Sequence, residues 1–180
     1  VGQPLPGVEL RILDPAGQPL PAGEIGEIAT RSLANMTGYR NLPQATAATI
    51  DGEGWLHTGD AGYLDADGYL FLKDRIKDLI ISGGENVYPA EVEIAIYDHP
   101  DVAEVAVIGV PDAKWGESVK AIVVAKPGTN PEAASIIAWA RARIAAYKTP
   151  KYVEFVAALP RNASGKILRR ELREHHSKPE

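Results

Sequence analysis

Four short clusters bring together side chains whose types and spacing suit chemistry on a ligand. Trp55-Leu56-His57-Thr58-Gly59-Asp60 ends in a carboxylate directly after a glycine. Such a carboxylate can accept two charge-assisted hydrogen bonds from a ribose diol; on spacing alone, a turn-capping Asp is the simpler account. Ser82-Gly83-Gly84-Glu85-Asn86 lets a ligand approach the backbone, because glycine has no Cβ and tolerates positive φ. It lacks the Gly-Lys-Ser/Thr of a phosphate-cradling Walker loop, and a plain tight turn is its default reading. Pro160-Arg161-Asn162-Ala163-Ser164-Gly165-Lys166 reads as a polar, flexible loop that carries Lys166 on a mobile tether before a basic helix. A lysine ammonium is a compact point charge suited to a polyphosphate or a developing oxyanion, and a solvated basic surface is the bland alternative. Trp115, in Asp112-Ala113-Lys114-Trp115-Gly116-Glu117, lies between two strand-like runs. It can stack on a purine, although burial is the plainer expectation for a lone Trp.

Composition narrows the classes. The 180 residues are 45% hydrophobic and 24% charged, with a net charge of −5, values that exclude wholesale disorder and fibrous repeats. The mild acidic balance argues against non-specific nucleic-acid binding, which calls for a basic excess. With no cysteine, disulfides, thiolate metal sites and cysteine nucleophiles are excluded. Asp65-Ala66-Asp67-Gly68 lacks the later ligands of an EF-hand, His175-His176 has no partner spaced for a metal, and no Gly-x-Ser-x-Gly elbow occurs. No apolar run approaches the roughly 18–20 residues that span a bilayer. Val1-Gly2-Gln3-Pro4-Leu5-Pro6 has neither the basic nor the apolar region of a signal peptide and no initiator Met, so the expectation is a cytoplasmic protein of which this is a piece.

The elements that must position these clusters follow from periodicity. Val8–Leu13 alternates apolar and polar residues, as a half-buried strand does, and Glu24–Thr30 reads likewise. Ala61–Leu64 and Tyr69–Lys73 flank Asp67-Gly68, a hairpin signal. Residues 1–73 thus predict a small β-meander or barrel with few helices. Beyond Lys73 come a short strand at Leu79–Ile81, a helix at Ala90–His99 begun by Pro89, and β-branched runs at Val102–Val110 and Ser118–Ala125. A helix opened by Asn130-Pro131 and running to about Ala146, a strand at Val153–Val156 and a basic helix over Lys166–His175 complete the order. The fold class is α+β: a β-barrel or meander, then a compact α+β domain with a roughly three-stranded sheet. The charged segment Asp74-Arg75-Ile76-Lys77-Asp78 separates the two patterns, as a hinge or as an ordinary surface loop.

Taken together and in order, the motifs are far more specific than singly. Gly38-Tyr39-Arg40-Asn41 with Ala45-Thr46, Gly54–Asp60, Asp67-Gly68-Tyr69, Asp74–Asp78, Ile80–Pro89 and Pro160–Arg170 resemble the adenylate-forming enzymes over essentially the whole chain. These include acyl-CoA synthetases, nonribosomal-peptide adenylation domains and luciferases. The Ser-Gly-Gly-Glu-Asn-Val-Tyr-Pro form is most similar to the acyl-CoA and aryl-CoA ligase branch.

The resemblance implies that residues 1–74 are the last β subdomain of a large adenylate-forming domain, and 75–180 the mobile C-terminal domain. It implies an ATP-dependent acyl-CoA synthetase, in the first instance a fatty acid–CoA ligase, turning a carboxylic acid, ATP and coenzyme A into acyl-CoA, AMP and pyrophosphate. Mg2+ would be held mainly by ATP and by the upstream part of the protein. That part would also hold the phosphate loop and most of the acyl pocket, so no turnover is expected from these 180 residues alone. Asp60 and Arg75 match ribose contacts of ATP or AMP, and Leu72 borders the same pocket. Lys77 matches the hinge and Lys166 the catalytic lysine. Gly84 and Glu85 resemble residues that reach the active site for thioester formation, near the pantetheine channel, and Trp115 resembles an aromatic that packs on the coenzyme A adenine. A carrier protein in place of coenzyme A, or a non-catalytic isolated domain, are the alternatives. The polar Ser-Lys-Pro-Glu end, without a following carrier segment, favours the free-standing ligase. Nucleic acid is not an expected partner, membrane contact would be peripheral at most, and a homo-oligomer is left open.

Overall fold

The computed structural model describes residues 1–177, so Lys178-Pro179-Glu180 of the polar tail lie outside the described residues. The chain divides into two units, Val1–Lys77 and Asp78 onward, and the division falls inside the charged segment 74–78.

In the first unit, the alternating runs become β1 (Glu9–Leu13), β2 (Gly26–Arg31), β3 (Leu56–Leu64) and β4 (Leu70–Arg75). They pair antiparallel in chain order as an open meander, not a closed barrel. Asp side chains shape the bends. Asp14 Oδ1 accepts the N–H groups of Ala16 and Gln18 after β1, and Asp65 Oδ1 accepts those of Asp67 and Tyr69 between β3 and β4. Leu13, Ala29 and Trp55 form a small core, with the guanidinium groups of Arg11 and Arg31 4.3 and 4.6 Å from the Trp55 ring centre. Helix α1 (Pro43–Thr49) has no buried residue. It therefore carries no apolar stripe for periodicity to detect.

The second unit is a five-stranded sheet under helices. Its strands are β5 (Ile80–Ser82), β6 (Glu85–Val87), β7 (Val102–Asp112), β8 (Gly116–Ala125) and β9 (Tyr152–Phe155). The order is β6-β5-β8-β7, with β9 parallel to β8 and every other pair antiparallel. Five strands exceed the roughly three expected; the short strand anticipated at Leu79–Ile81 is β5, and β6, with three residues, is too short to show a period. Helices are α2 (Pro89–Tyr97), α3 (Ala133–Arg141) and α4 (Arg169–His176).

Both faces of β7 and β8 are covered, which explains their near-continuous β-branched runs. Val105, Val107, Val119, Ala121 and Val123 pack with Val92 and Ile96 of α2 and Ile136 and Ala140 of α3. Ala106, Ile108, Val110 and Ile122 pack with Leu159 and with Leu172 of α4. Burying one such side chain is worth roughly 1.5–3 kcal/mol. Buried Lys120 lies in an ion pair of 2.7 Å with Glu154, which also binds His176 Nδ1 at 2.6 Å and so fastens the end of α4 to the sheet.

Two helix boundaries differ from expectation. Helix α3 begins after Glu132 rather than at Asn130-Pro131 and ends at Arg141, because Ile144 must turn back to the core and the chain must return for β9. Helix α4 starts at Arg169 rather than Lys166, because an antiparallel bridge between Arg161 and Ile167 holds the preceding residues in a closed loop.

Candidate functional site

In the first unit, Asp60 is a strand residue of β3, which removes the turn-capping account. It stands opposite Arg75 in the β3–β4 register, and Arg75 Nε lies 3.0 Å from Asp60 Oδ1. Leu72, more than half exposed, stands opposite Gly62, two residues along from Asp60. Cross-strand partners share a face, so Asp60 and Arg75 come together on one side of the hairpin; a register shift between Ala61 and Gly62 separates Leu72 from this pair.

A second layer, not legible in the sequence, fixes the approach to Asp60. Glu27, across the sheet on β2, accepts the Gly59 N–H at 3.1 Å and binds His57 Nδ1 at 2.8 Å. His57 Nε2 is 3.6 Å from Asp51. The Glu27 hydrogen bond, above all, pushes the His57 pKa above its ordinary value. Thr58 Oγ1 donates to Ile28 O at 2.7 Å and accepts the Asp60 N–H at 3.1 Å. Glu27 is some thirty residues away in the chain, and no local pattern announces it.

Lys77 is exposed within a short 3-10 turn, Ile76–Asp78. The next residue, Asp78, is buried and accepts from Arg173 at 2.7 Å, with Arg169 Nη1 at 3.8 Å. Arg169 also binds Glu93 of α2 at 2.7 Å, and Glu93 accepts the Val107 N–H of β7. Asp78 is thereby clamped to the second unit at its first residue. Arg169 and Arg173, one helical turn apart, were the available signal for such a site.

Gly83 and Gly84 form the two-residue loop of the β5–β6 hairpin, with φ of +61° and +86°. Two successive positive φ values are what a type I′ turn requires, and they favour glycine. Glu85 follows, and Gly83 donates to Trp115 O at 2.8 Å. Trp115 is 46% exposed rather than buried, because its ring lies over Gly83, where an added Cβ would come within 2.7 Å. Gly83, Glu85 and Trp115, with Tyr147, Thr149 and Lys151, line a cleft of about 290 Å3. Asp112 shapes this end of the sheet. It accepts the N–H groups of Lys114 and Trp115, Ser118 Oγ, and Lys151 Nζ at 2.7 Å. Lys151 foremost, and Ser118 next, hold the Asp112 carboxyl well below the usual carboxylate range.

Lys166 sits in a structured loop rather than on a flexible tether. Asn162 Oδ1 accepts the Ser164 and Lys166 N–H groups, at 3.0 and 2.9 Å, together with Ser164 Oγ at 2.8 Å. Arg161 donates to Gly165 O at 2.7 Å and to Glu104 of β7 at 2.6 Å. The Lys166 side chain is exposed and makes no ion pair among the described residues. Its loop is thus tied to β7 at Glu104, whereas the cleft lies at the Asp112 end of the same strand. Eight residues of strand, about 26 Å, separate Glu104 from Asp112. The fold therefore brings Gly84, Glu85 and Trp115 to one end of the second unit and Lys166 to the other.

Comparison with known proteins places this geometry. Residues 1–40 match the family model described as AMP-binding enzyme, and residues 91–166 match the AMP-binding enzyme C-terminal domain. The fatty acid–[acyl-carrier-protein] ligase ScoC of Streptomyces coeruleorubidus is 50% identical over 173 residues, 96% of this chain and 33% of ScoC. The 2-succinylbenzoate–CoA ligase of Geobacillus kaustophilus is 51% identical over 172 residues, 96% of this chain and 35% of the ligase. The crystal structure of ATP-bound MatB from Rhodopseudomonas palustris, 42% identical, aligns with a TM-score of 0.91 over 98% of this chain and 35% of MatB. The chain thus spans about a third of the length of these relatives. Among the described residues no helix is long and apolar enough to cross a membrane, and no three His, Asp or Glu side chains gather as a metal site.

Proposed function

The chain belongs to the AMP-binding, adenylate-forming enzyme family, in its acyl-CoA ligase branch, and from that premise we propose that the whole protein is an ATP-dependent acid–thiol ligase. Its reaction runs in two halves. A carboxylate oxygen attacks the α-phosphorus of ATP and releases pyrophosphate, leaving an acyl-adenylate. The thiol of coenzyme A then attacks the acyl carbonyl, loses its proton and releases AMP. Mg2+ is carried on the nucleotide phosphates and held mainly by parts of the protein upstream of this chain.

Asp60 holds the ribose hydroxyls through its carboxylate, Arg75 adds a second ribose contact, and Leu72 borders the nucleotide. Lys166 stabilises the charge that develops between the acid carboxylate and the α-phosphate. Gly84 and Glu85 meet the pantetheine arm in the second half-reaction, and Trp115 packs on the adenine of coenzyme A. The unit from Asp78 onward acts as the mobile domain and turns at Lys77 between the halves, with Val1–Lys77 as the end of the large domain, a boundary three residues later than the expected 74/75 because Arg75 belongs to β4.

One observation carries this division of labour. The Lys166 loop is tied to the Glu104 end of β7 and the Gly83–Trp115 cleft lies at its Asp112 end, and one rigid unit cannot deliver both to one carbonyl in a single orientation. Turning the unit about one residue lets each serve in turn and clears the carbonyl for the thiol. The acid is proposed to be a fatty acid, supported by the similarity to ScoC, and the setting to be the cytoplasm. The same similarity favours a second acceptor, the thiol of a carrier protein, for which the chemistry is unchanged.

The test is thioester formation by the whole protein with ATP, coenzyme A and a panel of fatty and aromatic acids. The expected result is acyl-CoA with one AMP and one pyrophosphate per turnover. Release of ADP, or no ATP-dependent thioester with any acid, would overturn it. Transfer to a phosphopantetheinylated carrier protein but not to coenzyme A would select the second acceptor.

A further inference from the structure

We propose that Glu117 is a positioning residue for thioester formation: its carboxylate stands in for a strand neighbour and locks the Gly83–Gly84 turn onto the sheet. The proposal rests on the reading that this turn meets the incoming thiol.

Strand β5 carries the turn, and its attachment to the sheet is slight. Among the described residues it pairs with β8 at one register position, Ser82 opposite Gly116. A backbone N–H of β5 that faces β8 needs an acceptor, and here β8 supplies a side chain in place of a carbonyl. Ile81 N donates to Glu117 Oε2 at 2.9 Å, a charge-assisted bond stronger than the usual ladder bond. Two residues on, Gly83 N donates to Trp115 O. Glu117 and Trp115 thus grip β5 on either side of the single register pair, and the turn's geometry passes through them.

Gly109 on β7 makes the space for this arrangement. It has no positive φ that would call for glycine, yet a Cβ there would meet Glu117 Oε1 at 2.8 Å and Cδ at 3.0 Å. The carboxylate therefore lies across the bare Cα of Gly109. A side chain at 109 would push it off the Ile81 N–H, so two residues on different strands serve one hydrogen bond.

The experiment uses the whole protein and measures two rates separately: adenylate formation by ATP–pyrophosphate exchange, and thioester formation from supplied acyl-adenylate and coenzyme A. Glu117→Ala is expected to slow the thioester step roughly 10- to 100-fold, the effect of misplacing a reacting group by about an ångström, and to leave exchange near wild type. Glu117→Gln keeps an acceptor oxygen and is expected to restore most of the rate. Gly109→Ala is expected to reproduce the Glu117→Ala defect, and amide exchange at Ile81 to quicken in both. Gly84→Ala, strained at its φ of +86°, tests the reading of the turn itself. If Gly84→Ala slows the thioester step and Glu117→Ala does not, the role of Glu117 is overturned while the turn's role stands. If neither slows it, both fall. Equal loss of both half-reactions in Glu117→Ala, or no rescue by Glu117→Gln, would also overturn the proposal.

Discussion

Asp60 and Arg75 face each other across the β3–β4 pair, and Arg75 Nε lies 3.0 Å from Asp60 Oδ1. The contact engages one carboxylate oxygen and the edge of a half-exposed guanidinium. It orients both groups toward the same side of the hairpin, which is the arrangement a vicinal diol needs. Exposed ion pairs stabilise a fold little, so the pairing contributes more by holding the two proposed ribose contacts in register than by holding the sheet together.

Asp60→Asn in the whole protein is therefore expected to raise the KM for ATP roughly 10- to 100-fold, the worth of hydrogen bonds to a charged group. Its folding should be little affected. Wild type should discriminate against 2′-deoxyATP and the variant should lose that discrimination. An unchanged ratio between the two nucleotides in Asp60→Asn would remove Asp60 from the ribose site.

Lys77 is exposed, and the residue after it is fastened through Arg173 to α4. In the proposed rotation, torsional change would therefore fall on Lys77 itself. Lys77→Pro fixes φ near −65° and restricts Ile76 as well. It should impair thioester formation from supplied acyl-adenylate, the step that requires the unit to turn. An unchanged thioester rate in this variant would refute the hinge.

His57 offers a pH test of the layer behind Asp60. The Glu27 hydrogen bond raises its folded pKa above the ordinary value of about 6.5. The folded state then binds the proton more tightly than the unfolded chain. The resulting stabilisation is fully present below about 6.5 and is lost as pH rises through the folded pKa. Imidazole titration by NMR should give a raised midpoint for His57 that returns toward 6.5 in Glu27→Gln. A His57 midpoint at or below 6.5 in the wild-type protein would contradict the geometry.

The strands buried on both faces were legible, since Val102–Val110 and Ser118–Ala125 carry the β-branched runs that such burial demands. The apolar face of α2 was legible for the same reason: Val92, Ala95 and Ile96 are all buried. What stayed hidden depended on partners distant in the chain. Asp60 looked like a turn residue because its strand character comes from pairing with Arg75 of β4, not from its own neighbours. Trp115 looked like a core residue because nothing local indicates that it rests on Gly83. The loop before α4 looked flexible because its order comes from Asn162 accepting hydrogen bonds and from Arg161 reaching Glu104. The motif order identified the candidate residues, but only the fold reveals that Lys166 and the Gly84 turn lie at opposite ends of one sheet.

Those two ends are proposed to serve different half-reactions, and Lys166→Ala in the whole protein tests that division most directly. Adenylate formation, followed by ATP–pyrophosphate exchange, should fall roughly 10²- to 10³-fold, as when a preorganised charge-stabilising group is removed. Thioester formation from supplied acyl-adenylate and coenzyme A should stay near the wild-type rate. Equal loss in both steps, or adenylation that survives the substitution, would contradict the account.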